Sequence, residues 1–311
     1  ELKQRSDLIT DELYHHLPKD YPVAIKIILD SFRSKSPLIY QNDEMKGAEV
    51  FYYMPHGGYV AKYGLDYYDE SMQALLEITK RFTAEFSIRP FIQKYPEKIF
   101  PQLMQWTEHE NQHVRRLVSE GTRPRLPWAS WLKEVQQDPL QVLKLLDKLK
   151  EDPELYVRRS VANNLNDIAK DHPDTVVELL ESWKKIANPK TQWIIKHAMR
   201  SLVKTGHHGA LNLLGYNPAV KVKTKLSCRQ QQIKVGESLS FEIEINSFEN
   251  KSIDLMIDYQ LYFMKSNKKQ SAKVFKLTKK TLEAGEQLLL TKKHSFKVIT
   301  TRKYYPGQHS I

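Results

Sequence analysis

Two rhythms of apolar and polar positions divide the chain. Up to Leu214, apolar residues return at three- and four-residue steps, the spacing of one helix face. Leu13, Leu17, Val23, Ile25, Ile28 and Leu29, broken at Pro18 and Pro22, predict a helical hairpin over residues 1–35. Residues 36–49 are polar and carry Ser-Pro and Asn-Asp turn chemistry, so a loop is expected there. Met72, Leu75, Leu76 and Ile78 mark an amphipathic helix over 69–79, and the runs 140–149 and 176–183 supply further apolar faces. Past Leu214-Gly215 the rhythm becomes two: Leu239, Phe241, Ile243 and Ile245 alternate with Ser240, Glu242, Glu244 and Asn246, the mark of a half-buried strand. Residues 253–263, 273–277 and 287–299 hold further strand candidates between polar turns. The chain therefore reads as multidomain, α then β, with helices over 1–215 and a β-sandwich of immunoglobulin type over 216–311. Tyr305-Pro306-Gly307-Gln308-His309 reads as the approach to a hairpin whose partner strand is expected beyond Ile311.

Among the helices a single phrase recurs: Lys80-Arg81-Phe82-Thr83-Ala84-Glu85, Arg115-Arg116-Leu117-Val118-Ser119-Glu120, Arg158-Arg159-Ser160-Val161-Ala162-Asn163 and Lys196-His197-Ala198-Met199-Arg200. The copies recur at about 40 residues, the period of stacked helical pairs of the HEAT or armadillo kind. Stacking places equivalent helices side by side, so the ends of the phrases are expected to line one concave face. Two copies end in a carboxylate, and in the third Asp167 follows Asn163 by one helical turn. Glu85, Glu120 and Asp167 are expected to converge on one pocket.

Glu85 and Glu120 are each followed by an Arg-Pro pair, Arg89-Pro90 and Arg123-Pro124. Read as helix closures, these prolines place both acids near helix C-termini, where the dipole is unfavourable to an anion. Such an acid either pairs with a cation, Arg89 and Arg123 being the candidates, or is kept there for chemistry. Asp152-Pro153 and Asn188-Pro189 mark helix starts. The aromatic stretch from Phe51 to Tyr59 either stacks on bases or seals the first repeat as core.

Composition changes the picture mainly through charge. The net +11 is concentrated from Tyr216 onward, where 18 Lys and Arg stand against 8 Asp and Glu. A basic domain joined to a nearly neutral solenoid suits a polyanion, most simply nucleic acid, although lysines on strands also protect sheet edges. The single cysteine, Cys228, allows no internal disulfide and no thiolate metal cluster, which points to a reducing, cytoplasmic setting. No run of about 18 apolar residues occurs, so no membrane span is expected. The pairs His15-His16 and His207-His208 point apart on a helix and make no metal set, and no phosphate loop or dinucleotide-binding glycine motif is present. A cofactor-free carboxylate site, with hydrolysis as its natural class, is the enzymatic reading. A scaffold holding DNA or a protein partner is the alternative.

Three blocks carry a resemblance: residues 82–90, residues 113–128 from His113 to Trp128, and residues 156–168 from Tyr156 to Ile168. They are similar to the signature blocks of the AlkC branch of the AlkC/AlkD DNA alkylation repair glycosylases, and the similarity extends through residues 300–307. It implies a HEAT-like α-solenoid followed by an immunoglobulin-like β-sandwich, and release of N3-methylcytosine and N3-methyladenine from double-stranded alkylated DNA. It implies Glu85, Glu120 and Asp167 as catalytic acids and Trp128 as an aromatic wall. Arg116, Arg123 and Arg159 would lie near the DNA backbone or pair the acids. Arg89, Asn163, Trp193, Arg200, Arg302 and Lys303 join the expected DNA-contacting set. No cofactor and no metal are expected, and the protein is expected to act as a monomer associated with the nucleoid.

Overall fold

The computed structural model describes residues 1–32, 40–41, 44–45 and 48–311. Contacts divide the chain into two units, Glu1–Ser201 and Leu202–Ile311. The expected loop over 36–49 lies largely outside the described residues. Its described segments pair two short strands, β1 (Tyr40–Gln41) and β2 (Glu44–Met45), and run into a 3-10 turn over Ala48–Tyr53.

The first unit is helical: α1 (Leu2–His16), α2 (Tyr21–Ser31), α3 (Met54–Tyr63), α4 (Tyr68–Thr79), α5 (Arg89–Lys94), α6 (Pro96–Trp106), α7 (Gln112–Gly121), α8 (Lys133–Gln137), α9 (Leu140–Lys148), α10 (Leu155–Ile168), α11 (Pro173–Lys184) and α12 (Pro189–Ala198). Side chains mark several starts. Asp20 Oδ1 accepts from Val23 N at 3.1 Å, Asn111 Oδ1 from His113 N at 2.8 Å, and Asn188 Oδ1 from Lys190 N at 2.9 Å. Each such cap contributes about 1 kcal/mol. Pro22 and Pro90, expected to break helices, stand instead in the first turns of α2 and α5. There the missing N–H costs nothing, because those positions have no intrahelical acceptor.

α10 packs against both α7 and α12, and α7 also meets α4. Val114, Leu117 and Val118 of α7, Val157, Val161 and Leu165 of α10, and Ile194 and Ile195 of α12 are buried in this stack. Each contributes about 1.5–3 kcal/mol of burial. The phrase-bearing helices are thus neighbours, with one departure. The first copy, residues 80–85, is not helical but forms the turn after α4. Gly121 admits that turn: a Cβ there would meet Ile88 Cγ2 at 2.7 Å. The stretch from Phe51 to Tyr59 is mostly core, with Tyr53, His56 and Tyr59 buried and Tyr52 exposed.

Helix α13 (Arg200–Lys204) crosses the junction, and α14 (His208–Leu213) belongs to the second unit. That unit is an immunoglobulin-like sandwich. One sheet is ordered β3 (Val222–Cys228), β4 (Ser238–Ser247), β7 (Gln287–Ser295); the other pairs β5 (Ile253–Met264) with β6 (Gln270–Leu282); all pairs are antiparallel. Phe241, Ile243 and Ile245 from β4 and Tyr259, Leu261 and Phe263 from β5 make the core. Strand β7 stops at Ser295, short of the expected 299, because Phe296 turns into the core and Ile299 bridges to Arg302. Ser310 pairs with Tyr262 on β5.

Candidate active site

The three acids come from three successive repeats. Glu85 stands in the turn after α4, Glu120 in the last turn of α7, and Asp167 in the last turn of α10. Their surroundings join them into one network. Arg116 Nη1 donates to Glu85 Oε2 at 3.4 Å, and Arg116 Nη2 lies 3.9 Å from Glu120 Oε1. Arg123 Nη1 donates to Glu120 Oε1 at 2.7 Å, and its Nη2 and Nε meet Asp167 Oδ2 at 2.7 and 2.9 Å. Lys170 Nζ closes the row on Asp167 Oδ1 at 2.9 Å. All three acids are buried.

Burial raises the cost of every unpaired charge, so the arginines matter to these acids as partners. For Glu120, burial pushes the carboxyl up, but Arg116, Arg123 and a hydrogen bond from Ser160 outweigh it and hold the group below its ordinary value. Burial likewise opposes the charge on Arg116 and Arg123, and their acidic neighbours more than restore it. Arg116 also lies over the Tyr156 ring, 4.8 Å from its centre, and donates to Thr83 Oγ1. The buried group holds three carboxylates and two guanidiniums; the third cation, Lys170, sits at the rim with 45% of its side chain exposed. Counted with Lys170, the three carboxylates meet three cations.

Arg89, expected as a partner for an acid or for DNA, does neither. It is 1% exposed and donates to the carbonyls of Gly121, Arg123 and Ser130 at 2.5 to 3.2 Å. It satisfies the C-terminal carbonyls of α7. Burial and the neighbouring Arg123 bring its pKa down to about 10. The cation that pairs Glu85 is Arg116.

Trp128 is 96% exposed and holds φ at +64°, a backbone state that costs a non-glycine residue about 1–2 kcal/mol. Its ring gains nothing from the protein. Replacing Trp128 by Gly is therefore expected to raise stability by about 1 kcal/mol, read as the midpoint of urea unfolding.

Around α12 stands a second, smaller group. Asn163 Oδ1 accepts from Arg200 Nη2 at 2.9 Å, and Arg200 also donates to the His197 carbonyl. Trp193 stacks on His197 with ring centres 4.9 Å apart. Burial lowers both Arg200 and His197; Asp167 pulls Arg200 back up, while Arg200 and Arg159 push His197 further down. Arg159 is exposed on α10. In the second unit Arg302 lies over the Phe263 ring at 4.3 Å, and with Lys303 it lines a cavity edged by Val235, Val298 and Tyr304. Sequence reasoning passed over Ser160, Tyr156, Thr83 and Lys170. Ser160 and Tyr156 lie inside a singled-out block, and Lys170 follows Asp167 at helical spacing.

Comparison with known proteins bears on this geometry. The DNA alkylation repair enzyme family matches residues 79–202, the span holding every member of the acidic network, and the C-terminal Ig-like domain family of YhaZ matches residues 222–311. The uncharacterized protein YhaZ of Bacillus subtilis (strain 168) is 40% identical over 100% of this chain and 83% of its own length. The structure of the Pseudomonas fluorescens alkylpurine DNA glycosylase AlkC, bound to DNA containing an abasic site analog, superposes with a TM-score of 0.78 at 35% identity, covering 99% of this chain and 92% of that one. The chain belongs to the AlkC-type DNA alkylation repair family. Among its described residues, this AlkC-type chain has no group of three or more His, Cys, Asp or Glu placed to hold a metal ion, and no helix long and apolar enough to cross a membrane.

Proposed function

We propose that this chain is a DNA glycosylase that hydrolyses the N-glycosidic bond of cationic N3-alkylated bases, N3-methyladenine and N3-methylcytosine, in double-stranded DNA. Glu85, Glu120 and Asp167 are its catalytic acids. The observation that carries the reading is their junction through Arg116 and Arg123, from three separate repeats. The likeness to an alkylpurine DNA glycosylase supports the same class.

A base alkylated at N3 carries a positive charge and leaves without protonation. As the bond from C1′ to the base breaks, its electrons neutralise the base and the positive charge moves onto the sugar. Fixed carboxylates stabilise both forms of that charge and orient the water whose oxygen bonds to C1′ as its proton passes to solvent. Such acids must stay ionised, as the lowered Glu120 carboxyl does. A neutral base would have to leave as an anion, which the carboxylates repel, and that is the source of selectivity. Arg116 and Arg123 hold the acids in place, and Trp128 supplies an exposed ring to stack on the DNA. Incubation with methylated duplex and chromatography of released bases tests the proposal: N3-methyladenine and N3-methylcytosine are expected, and their absence overturns it.

The second unit supplies the phosphate-binding charge in this reading, acting with Arg159, Asn163, Trp193 and Arg200 of the first, in a monomer that works at the nucleoid. Replacing Arg302 and Lys303 together by Gln is expected to flatten the dependence of log Kobs on log salt by about 0.9 for each phosphate no longer neutralised, so about 1.8 in all. An unchanged slope would remove both residues from the interface.

A further inference from the structure

The Glu120 carboxylate is held from two sides by donors of different kind. Its Oε1 faces the guanidiniums of Arg123 and Arg116, whereas its Oε2 accepts a 2.6 Å hydrogen bond from Ser160 Oγ. Ser160 comes from the neighbouring repeat, on α10, and is 2% exposed. Its oxygen lies 3.0 Å from Ser119 Oγ, which is also buried. A hydroxyl has one proton, and an ionised carboxylate only accepts. Ser160 therefore directs its proton to Oε2, with the Ser119 oxygen a second and longer acceptor at 3.0 Å. Asn164 Nδ2 braces Ser119 from behind, donating to the Ser119 carbonyl at 2.8 Å and to Thr122 Oγ1 at 3.1 Å.

The repeat itself marks the position as unusual. In the third place of the phrase the other copies carry Phe82, Leu117 and Ala198, all buried and apolar. Only the copy facing Glu120 carries a hydroxyl there. A polar side chain in a core slot costs stability unless its hydrogen bond is made, and here the bond is made to an ion.

We infer that Ser160 is a positioning residue for excision: it orients the Glu120 carboxylate, an inference that rests on the role proposed for Glu120. A cationic base competes with Arg123 and Arg116 for Oε1, so those contacts alone do not fix the carboxylate once the substrate arrives. A neutral hydroxyl does not compete for that charge. Because Ser160 stands on the same helix as Asp167, it also sets Glu120 relative to the acid of the next repeat.

The test uses the full chain and single-turnover release of N3-methyladenine from a duplex, followed against pH. Ser160→Ala is expected to slow release by roughly tenfold or more, the worth of one hydrogen bond to a charged group. It should also move the acid limb of the profile to higher pH, since a donor that stabilised the anion is gone. Affinity for a duplex with an abasic analog should be unchanged. Ser160→Thr, which keeps the hydroxyl, should recover most of the rate. In a Glu120→Gln background, Ser160→Ala should have no further effect. An unchanged rate and acid limb in Ser160→Ala, or a full loss that persists in the Glu120→Gln background, overturns the inference. Glu120→Gln at the wild-type rate would instead overturn the reading of the site itself.

Discussion

Glu120→Gln is expected to lower single-turnover excision of N3-methyladenine by about a hundredfold to a thousandfold, the loss typical of removing one preorganised electrostatic group. Gln keeps the shape of the side chain and can still accept the Ser160 hydrogen bond, but it brings no charge to the departing base. Asp167→Asn should act in the same direction. Sequence alone leads to the expectation of normal folding for both variants; the ion pairs change that. In Glu120→Gln, Arg123 keeps Asp167 and Arg116 keeps Glu85, so the fold should survive with a loss of roughly 1–3 kcal/mol. Excision kinetics and urea unfolding on the same sample separate the two effects. A variant with the wild-type rate would take Glu120 out of the mechanism.

Arg123→Met is expected to give the largest loss of stability, about 3–5 kcal/mol, because removing one partner leaves buried charge uncompensated. Among the described residues this guanidinium alone bridges Glu120 and Asp167, at distances of 2.7 to 2.9 Å. Without it the two acids keep Arg116 and Ser160 at Glu120, and Lys170 with the more distant Arg200 at Asp167. The Glu120 carboxyl, relieved of one of the charges that lower it, should rise. The urea midpoint measures the loss. A cost under about 1 kcal/mol would mean that the bridge is no more than a solvated surface pair.

Much of the architecture was legible in the chain because it rests on periodicity. The alternation of Leu239 to Asn246 foretold β4, and the apolar steps of Met72 to Ile78 foretold α4. Strand β3 was not foreseen: Lys223 and Lys225 face solvent on a sheet edge, where no buried face imposes a pattern. The two units divide at Ser201 and Leu202, ahead of the change of rhythm at Leu214, so α14, helical in its spacing, falls in the second unit.

At the site, sequence placed the three acids in one repeat frame, and the structure brings them into one network. It did not reveal how Glu85 arrives there, since the proline after Arg89 opens a helix instead of closing one. Arg89 and Arg116 look alike as residues beside acids; only the packing shows that one is sealed among carbonyls and the other meets carboxylates. Trp128 was singled out by resemblance alone. Neither its positive φ nor its exposure has a local signature in the surrounding residues.

The most direct measurement compares binding to two duplexes that differ only in charge at the abasic position: one carries a neutral tetrahydrofuran, the other a cationic pyrrolidine mimic of the sugar. If the joined carboxylates exist to stabilise positive charge, the wild-type protein binds the cationic duplex at least about tenfold more tightly, a difference of about 1.4 kcal/mol. That preference should collapse in Glu120→Gln and Asp167→Asn. Equal affinity of the wild type for both duplexes, or a preference that survives the loss of both acids, would contradict the claim.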